Sequence, residues 1–125
     1  MYIHYNLNPF GKEEDDCVVR ALGLVLDKSW NTMYMDLMIQ GFMMKSRFDK
    51  NYVWGAYLKN KGFDREVIPN TCPDCYSVAD FANDHPVGKY VLATDGHVVA
   101  VIDGNYYDTS DTGGLVPLYY WRKEN

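Results

Sequence analysis

A thiol, an imidazole and a carboxylate are spaced through this sequence as the parts of an activated nucleophile. Cys17 stands in the run Asp15-Asp16-Cys17-Val18-Val19-Arg20-Ala21-Leu22. Eighty residues later His97 follows Asp95-Gly96 and leads into Val98-Val99-Ala100-Val101-Ile102; Asp108 then ends Asn105-Tyr106-Tyr107-Asp108. A free thiol, with a pKa near about 8.5, is mostly protonated at neutral pH. A helix N-terminus and a neighbouring imidazolium lower that value, and an acid beside the imidazole fixes its tautomer and supports its charge. Each residue alone has a plainer role: a small buried hydrophobe for the cysteine, a turn residue for the histidine, a turn-capping carboxylate for the aspartate. Their joint placement is what points to a thiolate nucleophile.

The elements that must bring these residues together are legible in the periodicity. Asp15 or Asp16 can cap a helix from about Cys17 to Leu26, with Val18, Ala21, Leu22 and Val25 on one stripe. Cap and macrodipole then direct the first-turn N–H groups toward Cys17. Ser29 starts a second helix, with Met33, Tyr34, Leu37, Met38 and Phe42 apolar at helical spacing. A third runs from Asn51 to Asn60, stops at Gly62 and buries Val53, Trp54, Tyr57 and Leu58. Ser77 with Asp80 marks a short helix closed before Pro86. Beyond Gly88 the pattern turns to short β-rich runs at Lys89–Thr94, His97–Ile102, Asn105–Asp108 and Leu115–Trp121, punctuated by Asp95-Gly96, Asp103-Gly104 and Gly113-Gly114. Helices followed by an antiparallel meander predict one α+β domain over residues 1–125, with the first helix on a sheet face where Cys17 meets His97.

Register decides which acid serves the histidine. If Asp103-Gly104 is a two-residue turn, Ile102 pairs with Asn105 and Val99 with Asp108, so Asp108 is a diagonal neighbour of His97 on one face. A three-residue turn brings Asp111 opposite His97 instead. Asp108 is the expected partner and Asp111 the alternative.

Composition bounds the function. A net charge of −5 offers no global basic surface for a phosphate backbone. No apolar run approaches a membrane span, and the first residues carry neither the basic nor the apolar stretch of a signal peptide. Three cysteines are an odd number and no disulfide framework, so reduced thiols and a cytosolic setting are expected. Cys72-Pro73-Asp74-Cys75 stands alone as a C-x-x-C. Zinc needs two more ligands there, with only His85 and His4 on offer, and a redox motif wants a βαβ context that is missing. A solvent-facing turn is the expected role, and no metal or cofactor is predicted. The acids Glu13-Glu14-Asp15-Asp16 help start the helix, oppose a thiolate by like charge, and could make the cleft favour basic peptides.

Asp16-Cys17 opening an apolar helix, Gly96-His97 leading an alternating strand, and the return Tyr106-Tyr107-Asp108 together resemble the papain-like cysteine peptidase superfamily. The nearest likeness is to its small bacterial and phage members, similar to the peptidase domain that trims double-glycine leader peptides. The order Cys, His, acid and the helices-then-sheet plan extend over the whole chain, while the specific motifs are confined to those segments. The resemblance implies a papain-like fold with Cys17 as nucleophile, His97 as general base and acid, and Asp108 as the orienting residue. It also implies a peptide or protein substrate and a cytoplasmic location, bacterial or, for a phage protein, that of the host. Such peptidases carry a Gln upstream of the nucleophile to complete the oxyanion hole, and Gly11 occupies that position here. Asn8, beside Pro9-Phe10-Gly11, or Asn6 could donate beside the Cys17 N–H instead; Asn8-Pro9 serves equally as a turn signal. Three functions stay open: a cysteine hydrolase, an amidase or acyl transferase on the same residues, and a non-catalytic interaction module on an enzyme fold.

Overall fold

The computed structural model describes residues 1–12 and 15–123. Its helices lie where apolar spacing and caps put them. The first helix, α1, spans Cys17–Leu26 and buries Val18, Ala21, Leu22 and Val25. Asp16 occupies its N-cap position but makes no side-chain cap bond. That corrects the expected cap: the Asp16 carboxylate goes to Arg20 one turn on and to the Trp30 indole N–H at 2.9 Å. Glu13 and Glu14 of the acidic run lie outside the described residues.

Ser29 caps α2, Trp30–Met44, by accepting from the Thr32 N–H. This helix buries only Met33, Leu37 and Gly41, while Met38 and Phe42, expected on its apolar stripe, face outward. The third helix, α3, spans Asn51–Asn60 with Val53, Trp54, Tyr57 and Leu58 buried. A short α4, Val78–Asp84, opens on a complete capping box between Ser77 and Asp80.

Six strands form one sheet: β1 Tyr2–His4, β2 Phe63–Val67, β3 Lys89–Thr94, β4 His97–Ile102, β5 Asn105–Asp108 and β6 Tyr119–Lys123, in the order β1-β5-β4-β3-β6-β2. The sheet is mixed rather than antiparallel, because β1 pairs parallel to β5. β1 and β2 were not foreseen, and residues 115–118 of the expected last strand are not part of it. Instead, the chain runs from α4, where the Val78 and Ala79 N–H groups donate to the Leu115 and Gly113 carbonyls, to the sheet, where the Leu118 N–H donates to the Ala93 carbonyl.

Strand alternation divides the core between the two faces. Val91, Ala93, Val98, Ala100 and Trp121 pack with α1–α3, whereas Leu92, Val99, Val101 and Tyr106 pack with α4. Helices therefore cover both faces, α1–α3 on one and α4 on the other. Among the described residues no helix is long and apolar enough to cross a membrane.

Candidate functional site

Cys17, His97 and Asp108 meet at the ends of their elements. Cys17 is the first residue of α1, His97 the first of β4 and Asp108 the last of β5. The β4–β5 turn has two residues, with Ile102 paired to Asn105 and Val101 to Tyr106. Both turn residues have positive φ (49° at Asp103, 82° at Gly104), which matches the twist of the flanking strands and fixes this register. His97 and Asp108 thereby fall on the Val99 side of the alternation, while α1 packs against Val98 and Ala100. The expected meeting on a sheet face is thus corrected: the three side chains meet at the sheet's end, where α1 begins.

The contacts there form a line. His97 Nε2 lies 2.7 Å from Asp108 Oδ2. Cys17 and the His97 ring line the same cleft. The Asp108 bond, with the nearby Cys17 thiol second, outweighs the desolvation of the ring and pushes the His97 pKa up to about 9. The imidazole is therefore protonated at neutral pH. Burial works to raise the pKa of Asp108, but bonds from His97, the Thr112 hydroxyl at 2.8 Å and the Thr109 N–H at 2.8 Å hold it below the usual carboxylate range.

Arg20 lies beneath this line, 8 % exposed. Its guanidinium pairs with Asp16 and stands 3.6 Å from Asp108 Oδ1. One buried cation thus ties the residue before Cys17 to the acid behind His97. Sequence reasoning missed both Arg20 and Thr112. The i,i+4 pair Asp16/Arg20 on a helix otherwise apolar at its buried positions was a readable signal for the first. Thr112 follows Asp111 in a loop whose path no local pattern dictates.

A cleft of about 450 Å³ opens on the site, lined by Cys17, His97, Arg20, Asp15, Asp49 and Asn51 among others. Asp111, the alternative acid, lies elsewhere: its carboxylate accepts from the Tyr106 hydroxyl at 2.6 Å and from the Gly113 N–H. Asn8 is 7 % exposed, and its Oδ1 accepts from the Phe10 N–H while Gly11 closes the turn on its carbonyl. The turn role of Asn8-Pro9 is therefore present. Its amide nitrogen makes no hydrogen bond among the described residues. Asn6 is spent locally, donating to the Lys12 carbonyl and accepting from the Asn8 N–H.

Cys72 and Cys75 are joined as a disulfide in an exposed turn, so the expectation of reduced thiols holds for Cys17 alone. His85 is stacked on Phe81, its Nδ1 2.7 Å from the Phe81 carbonyl. Among the described residues no group of three or more His, Cys, Asp or Glu side chains could hold a metal. Compared with known proteins, the chain matches no family model, no curated protein and no solved structure.

Proposed function

We propose that this chain is a cysteine hydrolase of the papain-like kind, cleaving an amide, peptide or isopeptide bond through a thioester. The observation that carries this reading is the His97–Asp108 hydrogen bond beside the free Cys17 on the wall of an open cleft. The Cys17 sulfur, entering as the thiolate of a thiolate–imidazolium pair with His97, attacks the substrate carbonyl, forming a C–S bond and a tetrahedral oxyanion. Because α1 lacks a side-chain cap, its first-turn N–H groups remain available to that oxyanion, with the Asn8 amide as the candidate second donor. Collapse breaks the C–N bond as His97 gives its proton to the leaving amine. Water, deprotonated by the now neutral His97, then attacks the thioester, and the acid leaves as the thiolate–imidazolium pair re-forms.

A different acyl acceptor in the second half would make the same residues an acyl transferase, and a simple amide substrate would make them an amidase. The substrate we propose is a peptide or protein; the net charge of −5 argues against nucleic acid. Cys17 works only while reduced, which fits the cytoplasm, and there the exposed Cys72–Cys75 bond would be open. One observation favours a second reading, a protein-interaction module without turnover: the outward face of α2 carries Met35, Ile39, Phe42 and Met43, each more than half exposed.

The test is alkylation of Cys17 by chloroacetamide across pH, followed by mass mapping. The hydrolase reading expects rapid reaction well below pH about 8, slowed about tenfold or more in His97→Gln. An ordinary thiol profile that is indifferent to His97→Gln would overturn it.

A further inference from the structure

A second groove, of about 500 Å³, lies beside the cleft between the start of α3 and the strands β2 and β6. Asn51 lines both cavities, so the two adjoin at that residue. The groove has an aromatic wall, Tyr52, Tyr119 and Trp121, and two cations, Lys59 and Arg65. Gly55 lets the α3 backbone close over the indole: a Cβ there would stand 3.1 Å from the Trp121 ring. Arg65 lies 5.0 Å over the Tyr119 ring. Among the described residues neither Lys59 nor Arg65 has a carboxylate partner, although the chain carries five more acids than bases. Strand alternation explains the lack. Arg65 shares its face with Tyr119 and Trp121, while Asp64 and Glu66 project to the opposite face, where Glu66 meets Arg122.

We infer that this groove is a substrate subsite that binds an acidic side chain of the polypeptide held in the Cys17 cleft. The inference rests on the hydrolase reading and deepens it to a substrate class. Sheet register gives the distance. His97 pairs with Thr94 on β3, Ala93 pairs with Tyr119 on β6, and Trp121 pairs with Arg65 on β2, so three strand spacings and about three residues along the strands, about 17 Å in all, separate the histidine from Arg65. An extended chain advances about 3.3 Å per residue, which puts the acidic side chain about five residues from the reacting carbonyl. The cleft's own acids do not cancel the preference at that distance: Asp49 is paired with Arg47 at 2.7 Å, and Asp15 stands at the start of α1.

The probes are two series of short alanine peptides bearing a chloromethyl ketone at the C-terminus or a chloroacetyl group at the N-terminus. Each carries Glu, Ala or Lys at the residue farthest from the reactive group. In one of the two series the Glu peptide should alkylate Cys17 about fivefold faster than the Ala peptide, with Lys slowest, and the lead should shrink at high salt. In the double variant Lys59→Gln, Arg65→Gln, both positions exposed in the wild type, the Glu-to-Ala ratio should fall to about one. Equal Glu and Ala rates in both series, a lead for Lys, or a Glu lead that survives the double variant would each overturn the subsite. Chloroacetamide on the wild type and on His97→Gln separates the two failures. If His97→Gln does not slow it, the hydrolase reading falls; if it does and no Glu preference exists, the subsite alone falls.

Discussion

Replacing Asp108 by Asn tests the electrostatics of the site directly. The His97 pKa stands at about 9 instead of the ordinary 6.5, chiefly because of the Asp108 bond. A rise of that size corresponds to about 3 kcal/mol of extra stabilisation of the charged ring. The folded value lies above the unfolded one, so this stabilisation is complete below about pH 6.5 and fades as the pH climbs through about 9. Asn keeps the shape and one acceptor but removes the charge. In Asp108→Asn the ring should therefore titrate well over one pH unit lower, and its contribution to stability between about pH 6 and about pH 9.5 should drop by on the order of 2 kcal/mol. Two measurements check this: the His97 Cε1–H shift followed by NMR across pH, and urea unfolding at both ends of that window. Subtracting the same curves for His97→Gln removes the tyrosines and other groups that titrate nearby. A ring that titrates within half a unit of the wild type, or a wild-type stability no greater at the acidic end than His97→Gln predicts, would refute the reasoning.

Cys17→Ala should abolish covalent labelling and any turnover with the unfolding midpoint nearly unchanged, because the residue is half-buried and its thiol is free; labelling that persists elsewhere on the chain would show the wrong nucleophile. Thr112→Val removes a hydroxyl donor from a buried carboxylate and should cost about 1 kcal/mol in denaturant unfolding. Asp111→Ala breaks the Tyr106 and Gly113 bonds and should lower the unfolding midpoint slightly, yet leave chloroacetamide labelling of Cys17 within about threefold. Arg20→Met strands two buried carboxylates and should destabilise by about 3–5 kcal/mol, read from the unfolding midpoint. Changing Cys72 and Cys75 together to Ser should leave the rate of Cys17 labelling within a few-fold, since neither borders the cleft.

The parts of the fold legible in the sequence are those with a local physical cause. α1 and α3 follow the predicted bounds because apolar spacing carries both and Gly62 stops the second. The β3–β4–β5 hairpins follow because Asp95-Gly96 and Asp103-Gly104 supply the positive φ that tight turns need. β1 and β2 escaped because each pairs with a strand far along the chain. Tyr2–His4 lies parallel to Tyr106–Asp108 and Phe63–Val67 pairs with Tyr119–Lys123, so neither forms a hairpin with a neighbour in sequence. The α2 stripe misled for the opposite reason. Apolar spacing marks a face able to be buried, but here Met33 and Leu37 are buried and Tyr34 packs on the core edge, while Met38 and Phe42 face outward.

The same division runs through the site. The His97–Asp108 pair follows from one turn and strand alternation, so it was within reach of the sequence. What holds that pair was not. Thr112 closes on Asp108 because the loop after β5 is pinned by Tyr106 to Asp111 and by α4 amides to Gly113 and Leu115, contacts set by packing. Arg20 is the sharper case. An arginine at the centre of a helix usually signals solvent, yet here it is buried between Asp16 and Asp108. Its position follows from the acids: with Asp16 turned inward to Arg20 and Trp30, the helix start loses its side-chain cap. The expected cap failed and the arginine was hidden for one reason, the inward turn of Asp16. That turn leaves the first amides of α1 beside Cys17 without a side-chain cap, and the proposed hydrolase mechanism draws on them for the oxyanion.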